Sequence, residues 1–92
     1  MVDNKRDESD PKLSAADQKF EKRIRYIDLC ADTLGFIGTQ LIMRRFDVQR
    51  VMASRDIQAY LERSGDRLKY IHKLKGYIPQ DNFKPLQKTL SN

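Results

Sequence analysis

The stretch from Leu41 to Ile78, LIMRRFDVQRVMASRDIQAYLERSGDRLKYIHKLKGYI, decides the fold. Its opening residues predict a short apolar helix that ends at Phe46. Asp47 makes a tight turn, and Val48 plugs that turn from beneath. Gln49 occupies the cap position of a further helix, where Ser or Thr would cap more strongly. Ala53, Ile57, Tyr60 and Leu61 fall on one face of this helix, and Arg55, Gln58 and Glu62 fall on the opposite face. Ala53 is small where two helices must approach closely. Ser64-Gly65 ends the helix. Leu68-Lys69-Tyr70-Ile71 and Gly76-Tyr77-Ile78 then alternate as half-buried strands do, joined by a short basic turn. Helix, turn, helix and two-stranded wing in this order specify a mainly α fold with a small β-hairpin, the winged helix-turn-helix.

Upstream, Ser14 and Asp17 form an S-x-x-D capping pattern that starts the first helix. Phe20, Ile24, Ile27, Ala31 and Leu34 recur at spacings of four and three, which gives one apolar face about five turns long. Gly35 is the stop. Phe36-Ile37 is too short for a helix and reads as a small strand able to pair with the wing. Thr39 is the expected cap of the next helix, with Leu41, Ile42 and Phe46 inward. Residues 1–12 are polar and of mixed charge, and are expected to form a disordered tail. The domain is expected over residues 13–79. The tail over residues 80–92 carries Phe83, Pro85, Leu86 and Leu90 and is expected to run back over the domain or to make a dimer contact.

Length and charge bound the function. The chain has 92 residues, 18 of them Lys or Arg and 13 Asp or Glu, for a net charge of +5. One domain with a small core fits this length. Thr39 to Ile78 holds nine of the basic residues (Arg44, Arg45, Arg50, Arg55, Arg63, Arg67, Lys69, Lys73, Lys75) and four of the acidic ones (Asp47, Asp56, Glu62, Asp66). That surplus of five equals the whole net charge, so the rest of the chain sums to zero. A positive field confined to the helix-turn-helix and wing is the footprint of phosphate binding.

Enzyme chemistry finds little support. There is no Gly-rich phosphate loop, nucleophile elbow or metal-ligand cluster. His72, the sole histidine, sits among Lys73 and Lys75 and is read as solvated or facing phosphate. Asp28 and Asp32, four apart, are expected to face solvent. Cys30 is read as a small core residue, since it has no partner for a disulfide and no zinc spacing. No apolar run is long enough to span a bilayer, and no apolar signal segment opens the chain, so a cytoplasmic, nucleoid-associated location is expected. No cofactor, metal or small-molecule ligand is implied.

The residue types instead suit duplex DNA. Gln49, Arg50, Ser54 and Arg55 offer groups that bond base edges: Arg bridges guanine O6 and N7, and Gln bridges adenine N6 and N7. Met52 lies on the same early turns. Arg44, Arg45, Lys69, His72, Lys73 and Lys75 are placed to meet phosphates. Asp56 has the wrong sign for that surface, and a structural role is expected for it, by pairing with Arg45 or capping a helix.

The same residues resemble a known family. Phe46-Asp47-Val48-Gln49, Ala53-Ser54-Arg55-Asp56-Ile57, Tyr60, Leu68-Lys69-Tyr70, Lys75-Gly76-Tyr77 and Phe83-Lys84-Pro85 are similar to the N-terminal winged-helix domain of bacterial WYL-domain transcription regulators. The likeness covers about half of the chain. It departs at Asp47, where the family has Gly, and at Gln49, where it has Ser. Residues up to Asn92 leave no room for a WYL ligand-sensing domain, and none is expected. The resemblance implies a DNA-binding transcription regulator, here expected to act as a stand-alone repressor. A homodimer is expected, through the first helix or the tail, because two-fold symmetry doubles the contacts of a small module. The alternatives are an architectural or excisionase-like recombination factor, and a winged-helix module that binds proteins.

Overall fold

The computed structural model describes residues 14–86. The expected N-terminal tail over residues 1–12 and the tail residue Leu90 lie outside them. Three helices pack together and a two-stranded antiparallel hairpin closes one side: α1 (Ala15–Leu29), α2 (Thr39–Phe46), α3 (Arg50–Ser64), β1 (Leu68–Ile71) and β2 (Gly76–Pro79). The predicted winged helix-turn-helix architecture is the one observed. Among the described residues, no helix is long and apolar enough to cross a membrane.

Helix α1 starts where its capping pattern places it. The Ser14 hydroxyl accepts from the Asp17 N–H at 3.1 Å, and the Asp17 carboxylate accepts from the Ser14 N–H at 3.2 Å. Its far end departs from expectation. Cys30–Leu34 form a π-helical turn before Gly35 stops the helix at φ 70°. The wider turn abandons the period of about 3.6 residues on which the inward face was read. Leu34, expected in the core, is therefore 66% exposed. The Thr33 hydroxyl donates to the Leu29 carbonyl at 2.7 Å within this turn. Cys30 is buried as expected, and burial pushes its thiol pKa up.

The core is built from Ile24 and Ile27 of α1, Ile42 of α2, Ala53, Ile57 and Tyr60 of α3, Ile37 of the connection and Leu68 of the wing. Leu41, Phe46, Val48 and Leu61 pack against it half-buried. Ala53 has no exposed surface, in keeping with close approach of the helices. The turn between α2 and α3 rests on Asp47 at φ 56°, ψ 50°, the left-handed region that Gly fills without strain and that Asp tolerates better than most residues. The cap of α2 is Gly38, not Thr39, because Thr39 is already helical. Gln49 caps α3 through its backbone alone, with no bond from its side chain.

Two buried carboxylates correct the sequence reading. Asp56 pairs with Arg23 of α1, not with Arg45: the Arg23 Nε donates to its Oδ2 at 2.5 Å, and both side chains are almost wholly buried. The Arg45 guanidinium lies over Phe46 and Tyr26, 5.1 and 5.9 Å from the ring centroids. Asp28, expected in solvent, is buried. It accepts from the Tyr60 hydroxyl at 2.5 Å and from the Leu86 N–H at 2.8 Å. Burial, and then the Asp28 carboxylate beside it, raises the Tyr60 pKa far above the ordinary phenol value, so the ring stays a neutral donor. Asp32, one turn on, is exposed as read.

The wing pairs Lys69 with Ile78 and Tyr70 with Tyr77. Phe36-Ile37 joins it as expected: Ile37 and Tyr77 exchange two backbone bonds, at 2.9 and 2.7 Å. This approach requires a glycine at position 76, where a Cβ would stand 2.4 Å from the Phe36 ring and 2.8 Å from the Ile37 carbonyl oxygen. Beyond the wing, Gln80 bonds the Asp66 and Leu68 carbonyls, and Phe83 and Leu86 pack on the chain's own core.

The buried ion pair gives a direct test. Asp56→Ala should lose about 3 kcal/mol, because it strands the Arg23 charge inside the protein. Replacing both partners together, Arg23→Met with Asp56→Leu, should recover most of that loss. Urea unfolding of the three variants checks both expectations.

Candidate nucleic-acid interface

A groove of about 460 Å3 runs between α3 and the wing. Three elements build it. Arg50 and Ser54 line it from the first two turns of α3. Tyr70, His72, Lys75 and Tyr77 line it from the hairpin, and Gly38, Thr39 and Gln40 close it from the start of α2. Ile57, otherwise buried, lies at its base. No carboxylate is among the lining residues, which include the basic side chains of Arg50 and Lys75. The first N–H groups of α2 add the positive end of a helix dipole at the same place, with no acidic residue in the first turn.

Local sequence explains the placement. The core positions Ala53, Ile57 and Tyr60 turn one side of α3 inward. Arg50 and Ser54, seven and three residues before Ile57, therefore stand on the wing-facing flank. On the hairpin, Tyr70 and Tyr77 are cross-strand partners and their rings meet edge to face at 5.1 Å. His72 packs on Tyr70 in the same way at 5.0 Å. The Gln58 amide of α3 reaches the Tyr77 hydroxyl at 3.3 Å, bridging helix and wing. Lys75 takes φ 55° in the last position of the hairpin loop.

The residues expected to bind DNA do not all converge. Arg50, Ser54, His72 and Lys75 share the groove. Gln49, Met52 and Arg55 line a second, smaller depression around the turn, together with Asp47, Val48 and Val51. The Met52 sulfur also accepts from Arg23 at 3.2 Å, which ties it toward α1. Lys69 is exposed but alternates with Tyr70 along β1, so it projects from the other face of the hairpin. Lys73 is exposed in the hairpin loop. Arg44 and Arg45 sit in the last turn of α2, about 8–9 Å along the helix from Thr39.

Four groove residues carry no DNA-binding role in the sequence reading: Thr39, Gln40, Tyr70 and Tyr77. The tyrosines had been read only as strand residues, although Tyr70 is 43% exposed. For Thr39 and Gln40 the available signal was Gly38, a cap with no side chain to occupy the N–H groups that follow. Among the described residues, no group of three His, Cys, Asp or Glu side chains is placed to hold a metal ion.

A helix-turn-helix with a basic groove between its third helix and a hairpin wing defines a DNA-binding transcription regulator of the winged class. The chain matches the family model of the BrxR transcriptional regulator winged helix-turn-helix domain over residues 19–90, and it belongs to that family. The matched span holds α2, α3, the wing and most of α1. A search of curated proteins gave no match.

The geometry separates two arginine classes. Arg50→Ala should weaken binding of a preferred duplex by about 1–3 kcal/mol and relax its base preference. Arg44→Ala, at the far end of α2, should leave the base preference unchanged. Competition binding with single-base variants of the duplex measures both.

Proposed function

We propose that this protein binds duplex DNA sequence-specifically and represses transcription by occupying its site. The N-terminal half of α3 enters the major groove, where Gln49, Arg50, Ser54 and Arg55 bond base edges. Thr39, Gln40, His72 and Lys75 meet the flanking phosphates, with Lys69 and Lys73 adding to the field of the wing. The observation that carries this reading is the groove itself, with cations from α3 and the wing, a helix N-terminus from α2, and no carboxylate in its lining. Glu62 stands three turns along the outward face of α3 and would repel a phosphate there, which favours insertion by the N-terminal end.

We infer further that two copies bind together. Phe83 and Leu86 pack on their own core, so they have little apolar surface left for a partner. Among the described residues, the exposed large apolar side chains away from α3 and the wing are Leu29, 55% exposed at the end of α1, and Leu34, 66% exposed in the π-helical turn that follows. This supports α1, the other surface expected from the sequence, as the dimer contact. Light scattering should give a dimer for the full chain and a monomer for Leu29→Ser with Leu34→Ser.

Selection of bound duplexes from a random library tests the whole reading. A two-fold symmetric consensus is the expected result, and enrichment of no sequence would overturn it. On the selected duplex, Lys73→Ala with Lys75→Ala should make the log–log salt dependence shallower by about one to two units, since each lost phosphate contact removes about 0.9. An unchanged slope would take the wing off the DNA. A reporter placed behind the selected site should fall in output when the protein is expressed.

A further inference from the structure

The outward line of α3 begins with an apolar side chain. Val51, Arg55 and Gln58 follow one another at spacings of four and three, and all are exposed. Val51 is 62% exposed and takes no part in the core. It is β-branched, a weaker helix former than Ala or Leu, and it occupies a first turn that acidic or capping residues would favour. Neither core packing nor helix stability accounts for a valine here.

A single exposed valine is ordinary on a protein surface. The surroundings of this one narrow what can cover it. It shares a depression with Val48, Met52, Gln49 and Arg55, and it follows Arg50 in the chain. A protein partner with an apolar surface would have to desolvate both arginines without pairing them, which is costly. A phosphate is disfavoured, because Asp47 stands on the rim of the same depression. A base edge suits both neighbours. The arginines find acceptors on it, and the apolar group that a base presents in the major groove is the thymine C5 methyl.

We infer that Val51 packs against the C5 methyl of a thymine and makes α3 select a T·A pair beside the bases bonded by Arg50 and Arg55. The inference rests on the proposed DNA-binding reading and adds a specificity residue to it. Covering one methyl group is worth ~0.8 kcal/mol, which corresponds to about fourfold in affinity.

The test starts from the duplex that the full chain selects from a random library. Each thymine is replaced in turn by deoxyuridine, which lacks only the C5 methyl. The wild-type protein should lose about fourfold at one or two neighbouring positions and nothing elsewhere. Val51→Ala should bind the parent duplex about fourfold more weakly and should not distinguish thymine from deoxyuridine at those positions. The exposure of Val51 leaves the fold of this variant intact, which circular dichroism verifies. Equal wild-type affinity for every deoxyuridine duplex would overturn the inference and leave DNA binding standing. Discrimination that survives in Val51→Ala would overturn it in the same way. If no duplex is selected at all, the DNA-binding reading falls, and this inference falls with it.

Discussion

The ion pair between Arg23 and Asp56 fixes how α3 is turned. A helix packed by an apolar stripe alone can rotate some way at small cost, because the hydrophobic effect is not directional. A buried carboxylate bonded to a buried guanidinium cannot, since rotation would strand two charges. One turn further along, Tyr60 donates to Asp28 of the same neighbouring helix. The two polar contacts lie four residues apart on one side of α3. With both engaged, Val51, Arg55 and Gln58 have only the outward direction left. Asp56, whose sign did not suit a basic domain, thus helps with Asp28 to orient the surface that carries its positive charge.

The wing is held to the rest of the domain through Tyr77. Tyr77 joins the backbone of Ile37, the ring of Tyr70 and the amide of Gln58. Its contacts therefore span the connection before α2, the other strand and α3. Gly76 permits this by removing the side-chain atom that would meet Phe36. The groove between α3 and the hairpin is in this way a product of packing around one tyrosine and one glycine.

Much of this was legible in the sequence. The capping pair at Ser14 and Asp17, the turn at Asp47 and the two strands all follow from local rules, and local rules act over a few residues. The failures have a common cause in distance or in broken period. Arg23 and Asp56 are 33 residues apart, and no local pattern links them. Leu34 was lost because a π-helical turn has no signature in the spacing of apolar residues. The site was read as one group of side chains, yet Arg50 and Arg55 are about 140° apart around the helix and line different depressions. The start of α2 brings Thr39 and Gln40 beside the wing, a placement set by packing across the domain.

The tethers on Tyr77 make α3 and the hairpin two jaws of a caliper with a set opening. When the protein's gap does not yield, a duplex seated between the jaws is the compliant body. The work of fitting is then done on the DNA, and its size depends on how readily each base step twists or narrows. Stiff and pliant steps would differ in affinity even at positions that no side chain touches. On the proposed DNA-binding reading, a fixed gap would make affinity depend on the mechanical character of a sequence, in addition to the chemical groups it displays.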